Sequence, residues 1–269
     1  MTRYVFPLVL LAACSDYDLN KFDAPARGGA ADTAALTLDS GEPEPEEEDD
    51  DEVPEDDVEL GTATAVIYLN TEDTLYAWEP DAGISEVGEW SDPSVRMTDI
   101  AVDMNGNMVG IATHELYEID AATATLTWSC TLEDYANGLT FISDGRLIAA
   151  GAGLSIVDRD SCAATPLTTE SGFRTAGDVV GIPGERLLWT VNGDAGDGLV
   201  EVDPDTGATA LVGHLGVSGL WGVGYADGQL HGFSVGGQAV VIDPDTAAVS
   251  DVTALDGEWW GATTNPVRW

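Results

Sequence analysis

Beyond the first fourteen residues, no stretch keeps apolar positions on a 3.6-residue period for ten residues, which argues against a helical body. One pattern occurs five times instead: a short apolar run closed by an acidic turn. It reads LYAWEPDAG from Leu75, LYEIDAATA from Leu116, LSIVDRDSC from Leu154, LVEVDPDTG from Leu199 and VVIDPDTAA from Val240. The acidic residues that open the turns, Glu79, Asp120, Asp158, Asp203 and Asp243, are 41, 38, 45 and 40 residues apart. Each unit carries four such runs; in one they are GLTFIS, RLIAAG, LSIVD and ATPLTT, separated by turn residues such as Ser143-Asp144-Gly145. Runs of this length, rich in Val, Ile, Leu, Thr and aromatics and punctuated by Gly, Asn and Asp, predict antiparallel strands joined by hairpins. In Asp203-Pro204-Asp205-Thr206-Gly207 the aspartate caps the turn, proline presets φ and glycine takes the left-handed position.

Four strands in a unit of about 40 residues mark the blade of a β-propeller. The ends of the chain set the number of blades. After the fourth complete unit only one strand remains, Trp260 to Asn265, whereas the domain opens with three, Ala65 to Leu69, Leu75 to Trp78 and Ile84 to Val87. One plus three makes a fifth blade, closed by pairing the N-terminal strands with the C-terminal one, which hides edges that an open sheet would expose. The expected fold is therefore an all-β, five-bladed propeller over residues 62–269. The units resemble the L-x-x-I-D-P-x-T-G repeats of YVTN-like bacterial propellers, and they lack the Trp-Asp pair of WD40 blades and the double glycine of kelch.

The leader changes where this domain is expected to work. MTRYVFPLVLLAAC has a positive charge at Arg3, an apolar run from Tyr4 to Leu11 and two small residues before Cys14, the order of a secretory signal. The run is about half the ~20 residues of a membrane-spanning helix, so no transmembrane helix is expected after processing. Leu11-Ala12-Ala13-Cys14 resembles the lipobox of bacterial lipoproteins. That resemblance implies a signal peptide over 1–13, cleavage before Cys14 and a lipid-anchored N-terminus, with Ser15 in the next position favouring the outer membrane. Acyl chains contribute about 0.8 kcal/mol per buried CH₂, enough in combination to hold a protein at a bilayer.

From Cys14 to residue 61 the chain reads as a disordered acidic tether. Thirteen of residues 41–60 are Asp or Glu and three are proline, so self-repulsion keeps the segment extended and solvated. Residues 62–269 remain acidic, with six arginines and no lysine, and the whole chain carries a formal charge of −40. Such a surface repels nucleic acid and anionic lipid, which removes both as partners of the domain. With Cys14 lipidated, Cys130 falls late in the outer strand of one unit and Cys162 at the turn into the outer strand of the next, and export would let them form a disulfide.

Loops of a four-stranded blade alternate between the two faces of the ring. The Asp-Pro-Asp-Thr-Gly turns share one face. On the other, near the starts of the innermost strands, Asp99, Asn137, Asp178, Trp221 and Trp260 are expected to ring the mouth of the central channel, with Arg96 and Arg174 nearby. A concave mouth with aromatics and a few polar groups is a default ligand site. The enlarged loop Asn192-Gly193-Asp194-Ala195-Gly196-Asp197-Gly198 lies on the same face, and Asn192, Asp194 and Asp197 form a candidate calcium set, although no glutamate closes it as in an EF-hand. His114, His214 and His231 form no HExxH, and no Gly-x-Ser-x-Gly is present.

The leading expectation is a membrane-anchored, non-catalytic binding or assembly lipoprotein of the cell envelope, presenting this face to an envelope protein, a glycan or a small ligand. The rivals are a calcium-dependent propeller hydrolase or lyase, and a surface spacer or adhesion protein with no small-molecule site.

Overall fold

The computed structural model describes residues 65–168, 172–194 and 196–265; Cys14, the leader and the acidic segment to residue 61 lie outside them. Every regular element among the described residues is a strand. In chain order these are β1 (Ile67–Asn70), β2 (Thr74–Glu79), β3 (Gly83–Glu89), β4 (Asp99–Val102), β5 (Met108–Ala112), β6 (Glu115–Asp120) and β7 (Thr125–Thr131). There follow β8 (Ala136–Phe141), β9 (Leu147–Gly151), β10 (Leu154–Val157), β11 (Ala164–Pro166), β12 (Thr175–Ile182), β13 (Arg186–Val191), β14 (Gly198–Val202) and β15 (Thr209–His214). The last are β16 (Leu220–Ala226), β17 (Gln229–Ser234), β18 (Gln238–Ile242), β19 (Val249–Ala254) and β20 (Gly261–Thr264).

They form five four-stranded antiparallel sheets, four of consecutive strands and one in the order β20-β1-β2-β3. The C-terminal strand pairs with the N-terminal one from Ile67↔Thr264 to Asn70↔Gly261. The fold is a five-bladed propeller closed by that pairing, as the repeat count predicts.

Burial falls from axis to rim. The innermost β4 and its neighbour β5 are buried at every residue, while the outermost β19 is exposed over Ser250–Ala254. Apolar residues of adjacent blades interlock, as where Leu220, Val223 and Leu230 pack with Val180 and Leu188. At about 25 cal/mol per Å² of apolar surface, these inter-blade layers are the main source of stability.

An innermost strand has no further strand on its axial side, so its N–H groups there need other acceptors. Side chains supply one at each of the five blade junctions. Asp99 accepts from Leu139 N at 2.5 Å, Thr140 from Gly181 N at 3.1 Å, and Asp178 from Val223 N at 2.6 Å. Thr264 accepts from Tyr225 N at 2.7 Å and Thr263 from Val102 N at 3.2 Å. The ring is thus bonded as well as packed.

The acidic turns behave as their composition predicts. Asp203 Oδ1 accepts from the N–H groups of Asp205 and Thr206, both at 2.9 Å, and Gly207 sits at φ +69°. The same left-handed position is held by Gly83, Ala124, Cys162 and Ala247 in the other four turns. Two arginines join this face across blades. Arg146 bonds Pro204 O and Asp205, and Arg186 bonds Pro244 O and Asp245, each reaching the turn of the following blade. Arg186 also ion-pairs with Glu201 at 2.7 Å. Because Asp205 and Asp245 are largely exposed, water and salt weaken these clips. Arg186→Ala is expected to cost about 1 kcal/mol, read as a melting shift of roughly 3 °C that shrinks in high salt.

Cys130, at the end of β7, and Cys162, in the turn before β11, form a disulfide with Cα atoms 5.8 Å apart. It joins the outer parts of neighbouring blades, where the sequence places it.

Candidate functional site

On the face opposite the acidic turns, the innermost strands open into a cavity of about 280 Å³. Thr98, Tyr135, Asn137, Ala176, Gly177, Trp221 and Trp260 line it. Four of these residues stand directly before a glycine, as Asn137-Gly138, Ala176-Gly177, Trp221-Gly222 and Trp260-Gly261. The glycines let the strands converge beneath the cavity. A Cβ on Gly177 would strike the backbone of Trp221, and one on Gly261 would strike the side chains of Asp99 and Asn70. The mouth is therefore wide at the residue before each glycine and closed just below.

Trp221 and Trp260 are half-buried, with ring centroids 6.2 Å apart and planes at 84°, so two indoles make perpendicular walls. Tyr135 stands half-exposed at the rim and contacts His114 edge-on. The Asn137 side-chain oxygen is buried and, among the described residues, has no hydrogen-bond partner; the Thr175 hydroxyl, next to Ala176, is in the same state. Leaving such a group unsatisfied costs about 1–3 kcal/mol.

The expected ring of mouth residues divides into two layers. Asn137, Trp221 and Trp260 line the cavity. Asp178 lies two residues beyond Ala176, Asp99 one beyond Thr98, and both are fully buried below the mouth. Their carboxyls are hydrogen-bonded to each other. Asp99 also accepts from the N–H groups of Ile100 and Leu139, and Asp178 from those of Val179, Val223 and Ala262. Burial pushes the Asp178 carboxyl up to about 7, and burial together with the Asp178 charge pushes Asp99 well above the usual carboxylate range. The buried pair, with both carboxyls shifted toward the protonated form, plugs the axis.

Arg96 and Arg174 are exposed and line no wall of the cavity. Arg96 donates to Pro93 O and Val95 O and pairs with Glu72 at 3.5 Å. In the enlarged loop, Asp197 is buried and accepts from Leu220 N at 2.9 Å and from Gly219 N. The Asn192 amide donates to Thr175 O at 2.5 Å, and Asp194 is exposed. Of the three, only the Asp197 carboxylate is taken up by backbone donors. Among the described residues no group of three or more His, Cys, Asp or Glu side chains is placed to hold a metal.

Tyr135, Thr98 and Ala176 are cavity residues that the sequence reading does not reach. The residue-glycine pair at the strand start is the signal that finds Ala176, and it also places Asp178 below the mouth. A larger hollow of about 470 Å³ lies beyond Tyr135, beside the three-residue β11.

No family model matches the chain, and no curated protein does. Solved structures do. A chain of the nidogen/laminin complex aligns with a TM-score of 0.54 at 11% identity, covering 76% of this chain and 82% of that one. A chain from work on the de novo evolutionary emergence of a symmetrical protein aligns at 0.52 and 15%, covering 73% and 93%. The likeness is one of fold alone. At these identities a β-propeller scaffold is shared, and function has to be argued from the site.

Proposed function

We propose that the protein is a lipid-anchored, non-catalytic binding lipoprotein of the cell envelope, held at the outer membrane through Cys14, with residues 14–61 spacing the propeller from the bilayer. The mouth cavity carries this reading: a formed hollow lined by Trp221, Trp260 and Tyr135 is suited to receive a ligand. The disulfide supports export, since such bonds persist in oxidising compartments. A binding role is favoured over hydrolysis because the two axial carboxyls are buried, paired and engaged with backbone N–H groups rather than turned to a substrate.

Two measurements test the reading. Metabolic labelling with a fatty acid in a producing bacterium is expected to mark the wild type and not Cys14→Ala; equal labelling removes the anchor. Ligand-observed NMR against a panel of sugars, amino acids and organic cations is expected to find binding that the double variant Trp221→Ala, Trp260→Ala loses. An unchanged binding profile in that variant rejects the mouth as the site, and turnover that chelation abolishes would favour a metal-dependent enzyme.

A further inference from the structure

We infer that the mouth cavity selects a small, free organic cation with an alkylated ammonium head. This rests on the mouth being the binding face and names what it binds. Three observations converge.

The walls come first. Two indoles at 84° to each other and the Tyr135 ring at the rim line one space, and a cation within about 6 Å of an aromatic face is attracted by the ring quadrupole. Perpendicular walls hold a roughly spherical ammonium head better than a flat ring, which would stack on one wall only.

The lining comes next. It contains no charged side chain. A hard divalent ion requires several carboxylate or carbonyl oxygens in place, and this cavity does not offer them. An alkylated ammonium is weakly hydrated and gives up its water to aromatic surfaces at low cost.

The third observation is the surrounding charge. The loops of this face expose Asp92, Glu133, Asp134, Asp194, Asp256 and Glu258. Against them stand Arg96, paired with Glu72, and Arg174. In a chain of formal charge −40, a cation is drawn to the mouth while an anion, or a headgroup carrying a phosphate, is repelled. That favours a free cation over a phospholipid headgroup.

The experiment compares choline with 3,3-dimethylbutan-1-ol, which has the same shape and hydroxyl without the charge, by calorimetry and tryptophan fluorescence on the intact protein. Choline is expected to bind about tenfold more tightly than the neutral compound, and added salt is expected to weaken choline alone. Trp260→Leu is expected to lose the choline preference. Trp260→Phe, which keeps an aromatic wall if the leucine variant folds poorly, is expected to retain part of it. Phosphatidylcholine vesicles are expected not to compete.

Equal affinities for choline and its neutral counterpart, both lost in Trp260→Leu, would overturn the cation inference and leave the mouth as a binding site. Choline binding that persists in Trp260→Leu and Trp221→Leu would overturn the inference together with the site. No choline binding overturns it outright, and competition by the vesicles would replace the free cation with the lipid headgroup.

Discussion

Raising the pH from about 7 to about 9 is expected to lower the melting temperature of the protein, and Asp99→Asn to remove most of that slope. The cause is the buried Asp99–Asp178 pair. In the unfolded chain both carboxyls titrate near 4, whereas burial raises both in the fold and the Asp178 charge raises Asp99 further. Between those limits the native state holds a proton that the unfolded state has released. Stability from a raised carboxyl is complete below the unfolded value and is lost as pH climbs through the folded one. The slope is bounded at about 1.4 kcal/mol per pH unit for each proton held. His231 acts oppositely, because burial lowers its pKa, but its effect ends near the ordinary histidine value, which is why the range above about 7 isolates the pair.

The variants separate the two carboxyls. Asp178 accepts from Val223 on one neighbouring blade and from Ala262 on the closure strand, so it ties three blades together. Asp178→Ala would leave those N–H groups and the Asp99 carboxyl unpartnered, at a cost of about 3–5 kcal/mol. That corresponds to a melting point lower by roughly 10 °C or more. An asparagine at 99 can donate to Asp178 but keeps one acceptor oxygen for the two N–H groups of Ile100 and Leu139, so it lowers stability at neutral pH by less than Asp178→Ala does. It should fold and stay insensitive to alkali, measured by circular dichroism melts at a series of pH values. A slope unchanged in Asp99→Asn would show that other groups govern the alkaline limb.

The blade count was legible because each blade repeats one local solution: an apolar strand pair, an acidic cap and a left-handed fifth position. Residues as different as Gly83, Ala124 and Cys162 occupy that last position, so the acid opening the turn was a better marker than glycine. The mouth was only partly legible. Side chains alternate along a strand, so a shift of one or two residues moves a group from the cavity into the plug. Asp99 and Asp178 looked like mouth residues because acids are ordinarily exposed; their burial depends on axial N–H groups contributed by other blades, which no local pattern reveals. Asp194 and Asp197 illustrate the same limit, since the bond from Leu220 N that takes up Asp197 comes from the next blade. The cysteine pair was legible because period and compartment together brought neighbouring outer strands into reach.

Removing that disulfide is expected to produce the second large effect, concentrated in one blade. Closing a loop across a sequence separation of 32 residues restricts the unfolded chain by about 3 kcal/mol, so Cys130→Ala, Cys162→Ala is expected to melt roughly 6–12 °C lower than the oxidised wild type. The local consequence follows from the strand it supports. β11 pairs with β10 at only three positions, Ser155↔Pro166, Ile156↔Thr165 and Val157↔Ala164, and Pro166 has no N–H to give. Cys162 is buried in the layer formed by Leu116, Leu139 and Val157, so the bridge fixes the turn leading into β11 to the preceding blade. Without it, the outer edge of this blade is held mainly by a short ladder, whereas the other blades have outer strands of six or seven residues. Hydrogen exchange of the reduced protein should therefore rise first in β10 and β11, with the axial strands β8 and β12 protected. Uniform loss of protection across all five blades would instead mean that the ring opens as a single unit and that the bridge contributes only through the unfolded chain.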